Sequence, residues 1–178
     1  MKKIYSADYK KIGILGGTFD PPHKGHLHIS LIALRKLKLN KIIWVVTKKN
    51  PLKKKPLLSI KKRILLSKKI ANNKKILVTY LDNKVKSNKT FNLLNYIKKK
   101  NKVAKLYFLI GADNLVNFHK WDNWKNITGL AKIAIFPRKK YSMKSLNPTV
   151  AKKLNKKDLI YVKSKKINIS SSLIRKFW

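Results

Sequence analysis

The chain has 178 residues, no cysteine and no glutamate, and carries 45 basic side chains against six aspartates, for a formal net charge of +39. That composition excludes disulfides, thiol chemistry and cysteine metal sites, and four histidines without glutamate leave little for a histidine–carboxylate zinc centre. The length suits one domain over residues 1–178 with a substantial core, and with no apolar run of membrane-spanning length and no secretory signal the expected location is cytoplasmic.

The lysines are spread along the whole chain rather than gathered in a tail or a stripe. Lysine, isoleucine and asparagine are abundant together, as under compositional drift toward A and T. The expectation is therefore no specific nucleic acid and no membrane partner, with the charge attracting polyanionic substrates in a salt-dependent way.

Residues 11–28, KIGILGGTFDPPHKGHLH, open on an apolar run at Ile12, Ile14 and Leu15 that reads as a strand entering a turn. Gly16 and Gly17 are expected to let the backbone bend sharply and approach a ligand with no Cβ in the way. The Pro21-Pro22 pair delays regular helix until about His23. His23 and His26 then share one face of the first helical turn. Unpaired backbone N–H groups and the positive end of the helix dipole favour an anion there. The pattern is a phosphate cradle, and it matches neither GxxxxGKS/T nor GxGxxG.

The helix after the cradle carries Leu27, Leu31 and Leu34 at i, i+4 and i+7 and is expected to end near Leu39-Asn40. Residues 42–46 (IIWVV) form a strand buried on both faces. Residues 47–56 are a Lys/Pro loop. A second helix fits Ile60, Ile64, Ser67 and Ala71, a third strand covers 76–80, and a third helix over 90–99 aligns Phe91, Leu94 and Ile97. Strands follow at 106–110, 133–136 and 160–162, and a short helix at 170–177. The alternation implies a doubly wound α/β domain, with a parallel sheet, right-handed crossovers and helices on both faces. Ligands bind such sheets beyond the carboxyl ends of the strands, near the switch point. The cradle, the Lys/Pro loop, Gly111-Ala112-Asp113 and the loop after Phe136 all belong at that edge.

Asp113 there either accepts from a ribose hydroxyl or caps the next helix. Trp121 and Trp124 are either packing residues or, for one of them, a platform for a flat heterocycle. Lys53 lies either near a phosphate or on a solvated loop. Ser170, Ser171 and Ser172 either cap the last helix or bind phosphate, with Arg175 one turn on able to neutralise a polyphosphate.

At GGTFDPPHKGH the chain resembles the HxGH nucleotidyltransferases, whose fold is Rossmann-like, and within them the nicotinate-nucleotide adenylyltransferase branch. ISSSLIR, from Ile169 to Arg175, resembles their second signature, ISSTxIR, so the likeness spans nearly the whole chain. It implies Mg²⁺-dependent transfer of AMP from ATP to nicotinate mononucleotide, with His23, His26, Lys53 and Arg175 as catalytic residues. By the same resemblance Gly16, Gly17, Thr18, Phe19, Gly111, Asp113, Arg138 and Ser170 to Ser172 are expected to join His23, His26 and Arg175 in binding ATP, and Thr90, Trp121 and Lys53 to bind the nicotinate nucleotide. Two looser matches depart from the family pattern: Lys89 and Asn92 replace an aromatic and an aspartate near Thr90, and Lys139-Lys140 replaces Pro-Gly between Arg138 and Tyr141.

Overall fold

A computed structural model of the chain describes residues 10–50, 54–138, 141, 148–164 and 169–177. Six parallel strands form one sheet: β1 (Lys11–Gly17), β2 (Lys41–Val46), β3 (Ile76–Thr79), β4 (Lys105–Gly111), β5 (Lys132–Phe136) and β6 (Leu159–Tyr161). Their order is β3-β2-β1-β4-β5-β6, so it reverses beside β1, whose neighbours are β2 and β4. The switch point expected from the alternating pattern therefore lies at the carboxyl end of β1.

Period-two alternation sends the strand side chains into two cores. Ile12, Ile14, Ile43, Phe108 and Ile133 pack under α4 (Thr90–Lys100), α5 (Ile127–Leu130) and α6 (Pro148–Lys153). Leu15, Ile42, Trp44, Leu109 and Ala134 pack under α1 (Lys24–Lys36) and α2 (Ile60–Ile70). Helices thus cover both faces, as expected.

The details of α1 differ from the sequence reading. Leu31 is 43% exposed, and the face turned to the sheet carries Ser30 and Ala33, both fully buried. Small side chains let the helix approach β2, where the Ser30 hydroxyl accepts from Trp44 Nε1 (2.8 Å) and donates to the His26 carbonyl (2.8 Å). Leaving that indole N–H unpaired in the core would cost ~1–3 kcal/mol. The helix also ends at Lys36 rather than near Leu39-Asn40. Lys38 takes a left-handed backbone (φ 50°), and the Leu39 N–H turns back to the Leu34 carbonyl (3.1 Å), a Schellman closure with lysine where glycine is usual.

The third strand stops at Thr79, and the sixth is shifted one residue toward the N-terminus. The final helix is α7 (Ser171–Ile174), tightened into a 3-10 turn over Arg175–Phe177. The sequence pattern did not announce the short helix α3 (Asp82–Val85), α5, α6 or the 3-10 turns between Ala112 and Asn126. Each is too short to establish a hydrophobic period.

Candidate active site

A cavity of about 1030 Å³ opens at the switch point. That is the upper end of the range for small-molecule sites, and it offers room for two nucleotides. Gly16, Gly17, Thr18, Phe19, His23, His26, Thr90, Gly111, Asp113, Trp121, Arg138, Ser170, Ser171, Ser172 and Arg175 all line it. Lys53 lies outside the described residues, as do Lys139 and Lys140; Lys54 and Lys55 are on the cavity wall.

The cradle turn is made differently from the expectation. Gly16 and Gly17 are the last residues of β1, opposite Val45 and Val46 of β2, and neither has a positive φ. The bend falls at Phe19, with φ 49°. A left-handed backbone at a side-chain-bearing residue costs ~1–2 kcal/mol. Burial of the phenyl ring, stacked at 5.2 Å on Trp44 and 4.7 Å from the His26 ring, offsets it by ~1.5–3 kcal/mol. The glycines instead keep the strand end free of side chains where it meets the cavity.

His23 is the N-cap of α1 and His26 its third residue. Their rings lie 3.8 Å apart, and the His23 backbone N–H donates to His26 Nδ1 (3.1 Å). That bond occupies the Nδ1 lone pair, so a neutral His26 carries its proton on Nε2 as a donor. Gly25 between them is required by contact, because a Cβ there would sit 2.8 Å from both His23 Nδ1 and Ile169 Cγ2.

Burial first, and then the positive charge of Arg138, lower the His23 pKa from 6.5 to about 4. His23 is therefore neutral at physiological pH. Between those two values the unfolded chain binds the proton and the folded one does not, so stability rises with pH. The contribution is complete above pH 6.5 and lost as pH falls toward 4, on the order of 3 kcal/mol in all. The difference in urea midpoint between wild type and His23→Gln should stay constant above pH 6.5 and shift against wild type as pH falls toward 4. Parallel curves would mean that His23 is not held neutral.

The carboxyl-terminal motif is fastened onto the amino-terminal one. Ser171 donates its hydroxyl proton to the Pro21 carbonyl (2.8 Å), across 150 residues of sequence. Arg175 donates to the Asp20 carbonyl, lies 3.6 Å from the Asp20 carboxylate and reaches Ser172 Oγ at 3.2 Å. Ser170 caps α7, its hydroxyl oxygen accepting from the Leu173 N–H (3.1 Å). So capping describes Ser170, whereas Ser171 ties the motif to the cradle and Ser172 accepts from Arg175 within the motif.

Asp113 is not a helix cap: it lies inside the 3-10 turn that follows Gly111, with Oδ1 3.5 Å from Arg138 Nε. Gly111 leaves room for that pair, since a Cβ would run into Asp113 Oδ1. Arg138 also donates to the Ile169 carbonyl (2.8 Å), linking the β5 loop to the second motif, and the Tyr141 N–H donates to the Arg138 carbonyl (3.1 Å). Trp121 is partly exposed at the wall, its ring 5.0 Å from Phe118 and 5.9 Å from Phe108, while Trp124 is buried in the core. α4 begins at Thr90, and Lys89 at its N-cap makes no side-chain capping bond. Lys89 pairs instead with Asp122 (3.0 Å), joining the start of α4 to the Trp121 turn.

Two positions stand out that the sequence reading passed over. Asp20, 3% exposed, accepts from the backbone N–H groups of Leu57 and Leu58 (both 2.9 Å). Arg63, 2% exposed, donates to four backbone carbonyls nearby. A signal for Arg63 existed: among 45 basic residues only four are arginine, and Arg63, Arg138 and Arg175 are three of them. Where lysine has filled most basic positions, an arginine marks a place that needs the planar fork.

A model of the cytidylyltransferase-like family matches residues 14–177. A probable nicotinate-nucleotide adenylyltransferase of Pelagibacter ubique is 49% identical over 167 residues, covering 93% of this chain and 92% of that relative. Another, from Bradyrhizobium, is 34% identical over 145 residues, covering 81% and 76%. In fold, the chain is similar to Plasmodium falciparum nicotinic acid mononucleotide adenylyltransferase complexed with NaAD, at TM-score 0.72 and 22% identity over 94% of this chain and 83% of that one. A second structure of that protein, complexed with APC, gives 0.73 at 24% identity over the same shares. With both signature motifs meeting at one cavity, this chain belongs to the nicotinate-nucleotide adenylyltransferase family of cytidylyltransferase-like proteins.

Proposed function

We propose that the protein transfers AMP from Mg-ATP to nicotinate mononucleotide, releasing pyrophosphate and deamido-NAD. The supporting observation is the contact of the two signature motifs, Ser171 with Pro21 and Arg175 with Asp20, on the wall of a cavity that also receives Asp113 and Trp121. A phosphate oxygen of the acceptor attacks the α-phosphorus, a new P–O bond forms, and the bond to the β-phosphate oxygen breaks on the far side. The nucleophile is ionised at pH 7, so no strong general base is needed. The chain contributes alignment of the two phosphates and compensation of charge moving onto the leaving group.

In this reading the first turn of α1, His23 and His26 hold the triphosphate, and Arg175 with Ser171 and Ser172 meets the leaving pyrophosphate. Gly16, Gly17, Thr18 and Phe19 form the floor. Asp113 accepts from the adenosine ribose beside Gly111, and Arg138 flanks the adenine. The nicotinate ring stacks on Trp121, and its carboxylate meets the free N–H groups at the start of α4 around Thr90. Lys53 remains a candidate with Lys54 and Lys55 for the acceptor phosphate. Among the described residues no three His or Asp side chains come together in a metal-holding group. Asp20 is engaged by the Leu57 and Leu58 amides, and Asp122 by Lys89. With these carboxylates engaged within the protein, Mg²⁺ arrives as part of the substrate Mg-ATP.

The location proposed is the cytoplasm, where Mg-ATP is supplied; among the described residues no helix is long and apolar enough to cross a membrane. Pyrophosphate release with Mg-ATP and a panel of acceptors tests the assignment. Nicotinate mononucleotide should be used, and pantetheine phosphate should not. Turnover only with the latter would point to a sister transferase.

A further inference from the structure

We propose that Arg63 is a positioning residue for this reaction, which locks the basic strip at residues 54–58 to the phosphate cradle before either substrate binds. The inference rests on the adenylyltransferase reading and concerns a residue outside the cavity wall. Arg63 sits on α2 in the run Lys61-Lys62-Arg63, where a solvated face would be the ordinary expectation. It is instead 2% exposed. Nε donates to the Leu58 carbonyl (3.0 Å), Nη1 to those of Thr18 (2.6 Å) and Thr47 (2.7 Å), and Nη2 to that of Lys48 (3.0 Å). Burial penalises this cation, and the carboxylates of Asp20 and Asp82 compensate it. Asp82 in turn accepts from the Lys48 N–H (2.7 Å).

Those four carbonyls belong to three separate pieces of the site edge. Thr18 lies in the cradle turn, Thr47 and Lys48 follow β2, and Leu58 ends the strip that brings Lys54, Lys55 and Leu57 to the cavity. Leu58 is held from both sides, its N–H by Asp20 (2.9 Å) and its carbonyl by Arg63. Asp20 also lies 3.6 Å from Arg175. The cradle has other supports, including the Thr47 N–H to the Gly17 carbonyl (2.9 Å) and Ser171 to Pro21. The strip's described anchors are Asp20 and Arg63. Losing the guanidinium should therefore displace the strip more than the cradle. A lysine cannot substitute, because its donors radiate from one point and cannot span carbonyls that a planar fork bridges.

The test is a double-mutant cycle between Arg63→Lys and the pair Lys54→Gln/Lys55→Gln, with Ala71→Gly as a control that loosens α2 without touching the four carbonyls. In wild type, kcat/KM for nicotinate mononucleotide is expected to fall at least tenfold on Arg63→Lys, with KM for Mg-ATP changing less than threefold. In the Lys54→Gln/Lys55→Gln background the same change should cost less than threefold. Ala71→Gly at a comparable loss in Tm should leave kcat/KM within threefold of wild type. Equal losses in both backgrounds, or a loss matched by Ala71→Gly, would make Arg63 merely structural and overturn the proposal while leaving the adenylyltransferase reading in place. A wild type inactive with every acceptor overturns both. Should Arg63→Lys not fold, hydrogen exchange on the ligand-free wild type decides. Leu57 and Leu58 amides protected like those of β2 support the preformed strip, and exchange at the free-chain rate refutes it.

Discussion

His26→Ala is expected to reduce kcat by about 10²–10³-fold, the effect of removing one preorganised donor to transition-state charge, ~3–4 kcal/mol. His26 is the third residue of α1, and its Nδ1 is taken by the His23 N–H. Its remaining donor, Nε2–H, belongs to a ring whose orientation is fixed by Phe19 at 4.7 Å and Trp44 at 6.0 Å. The donor therefore needs no reorganisation when charge develops, which is where such groups act most strongly. Alanine also removes the bond to the His23 N–H at the helix start, costing ~1 kcal/mol of stability, so Tm should fall only slightly. A loss of activity under tenfold, ~1.4 kcal/mol, would show that the cradle does not hold the reacting phosphates.

Arg175→Ala should lower kcat by about 10²-fold, ~2.7 kcal/mol, with KM for the pyridine acceptor little changed. The side chain is partly exposed, and its contacts to Asp20 and Ser172 are of the kind worth ~0–1 kcal/mol to stability. Its larger effect is expected when pyrophosphate leaves and the former bridging oxygen, now carrying a further negative charge, needs a cation. Arg175→Lys should recover part of the rate, since a point charge supplies the field without the fork. Turnover within threefold of wild type for Arg175→Ala, at unchanged KM for Mg-ATP, would remove Arg175 from the leaving-group side.

Much of this architecture was legible because the information was local. The run Ile42 to Val46 could only be a strand covered on both faces, and β1, β4 and β5 announced themselves in the same way. The spacing of His23 and His26 placed two rings over one helical turn, where they stand 3.8 Å apart. What was not legible depended on tertiary contact. The cradle bend falls at Phe19, not at Gly16 and Gly17, because a buried ring can offset a left-handed backbone. Leu31 looks like a core residue by period, yet the sheet side of α1 is chosen by Ser30, whose hydroxyl satisfies Trp44 Nε1.

The lysines illustrate the same limit. Lys98 looks like part of a solvated run, but its ammonium donates to the carbonyls of Lys102 (3.1 Å) and Ala104 (2.8 Å), closing the turn into β4. Arg63 lies next to two lysines, and only its residue type separates it from them. Its role follows only from three chain segments arriving within reach of one guanidinium.

The most direct measurement is kcat/KM for nicotinate and nicotinamide mononucleotide with Mg-ATP, followed by both pyrophosphate and dinucleotide formation. Trp121 can stack on either ring equally, so discrimination falls to the N–H groups at the start of α4, where Lys89 makes no capping bond. Donors alone pair both oxygens of a carboxylate but leave the amide NH₂ without an acceptor, at ~1–3 kcal/mol. Nicotinate mononucleotide should therefore be preferred at least tenfold, one dinucleotide forming per pyrophosphate, and Trp121→Ala should weaken both acceptors while keeping that ratio. Equal values, a preference for the amide, or pyrophosphate without dinucleotide would contradict the assignment.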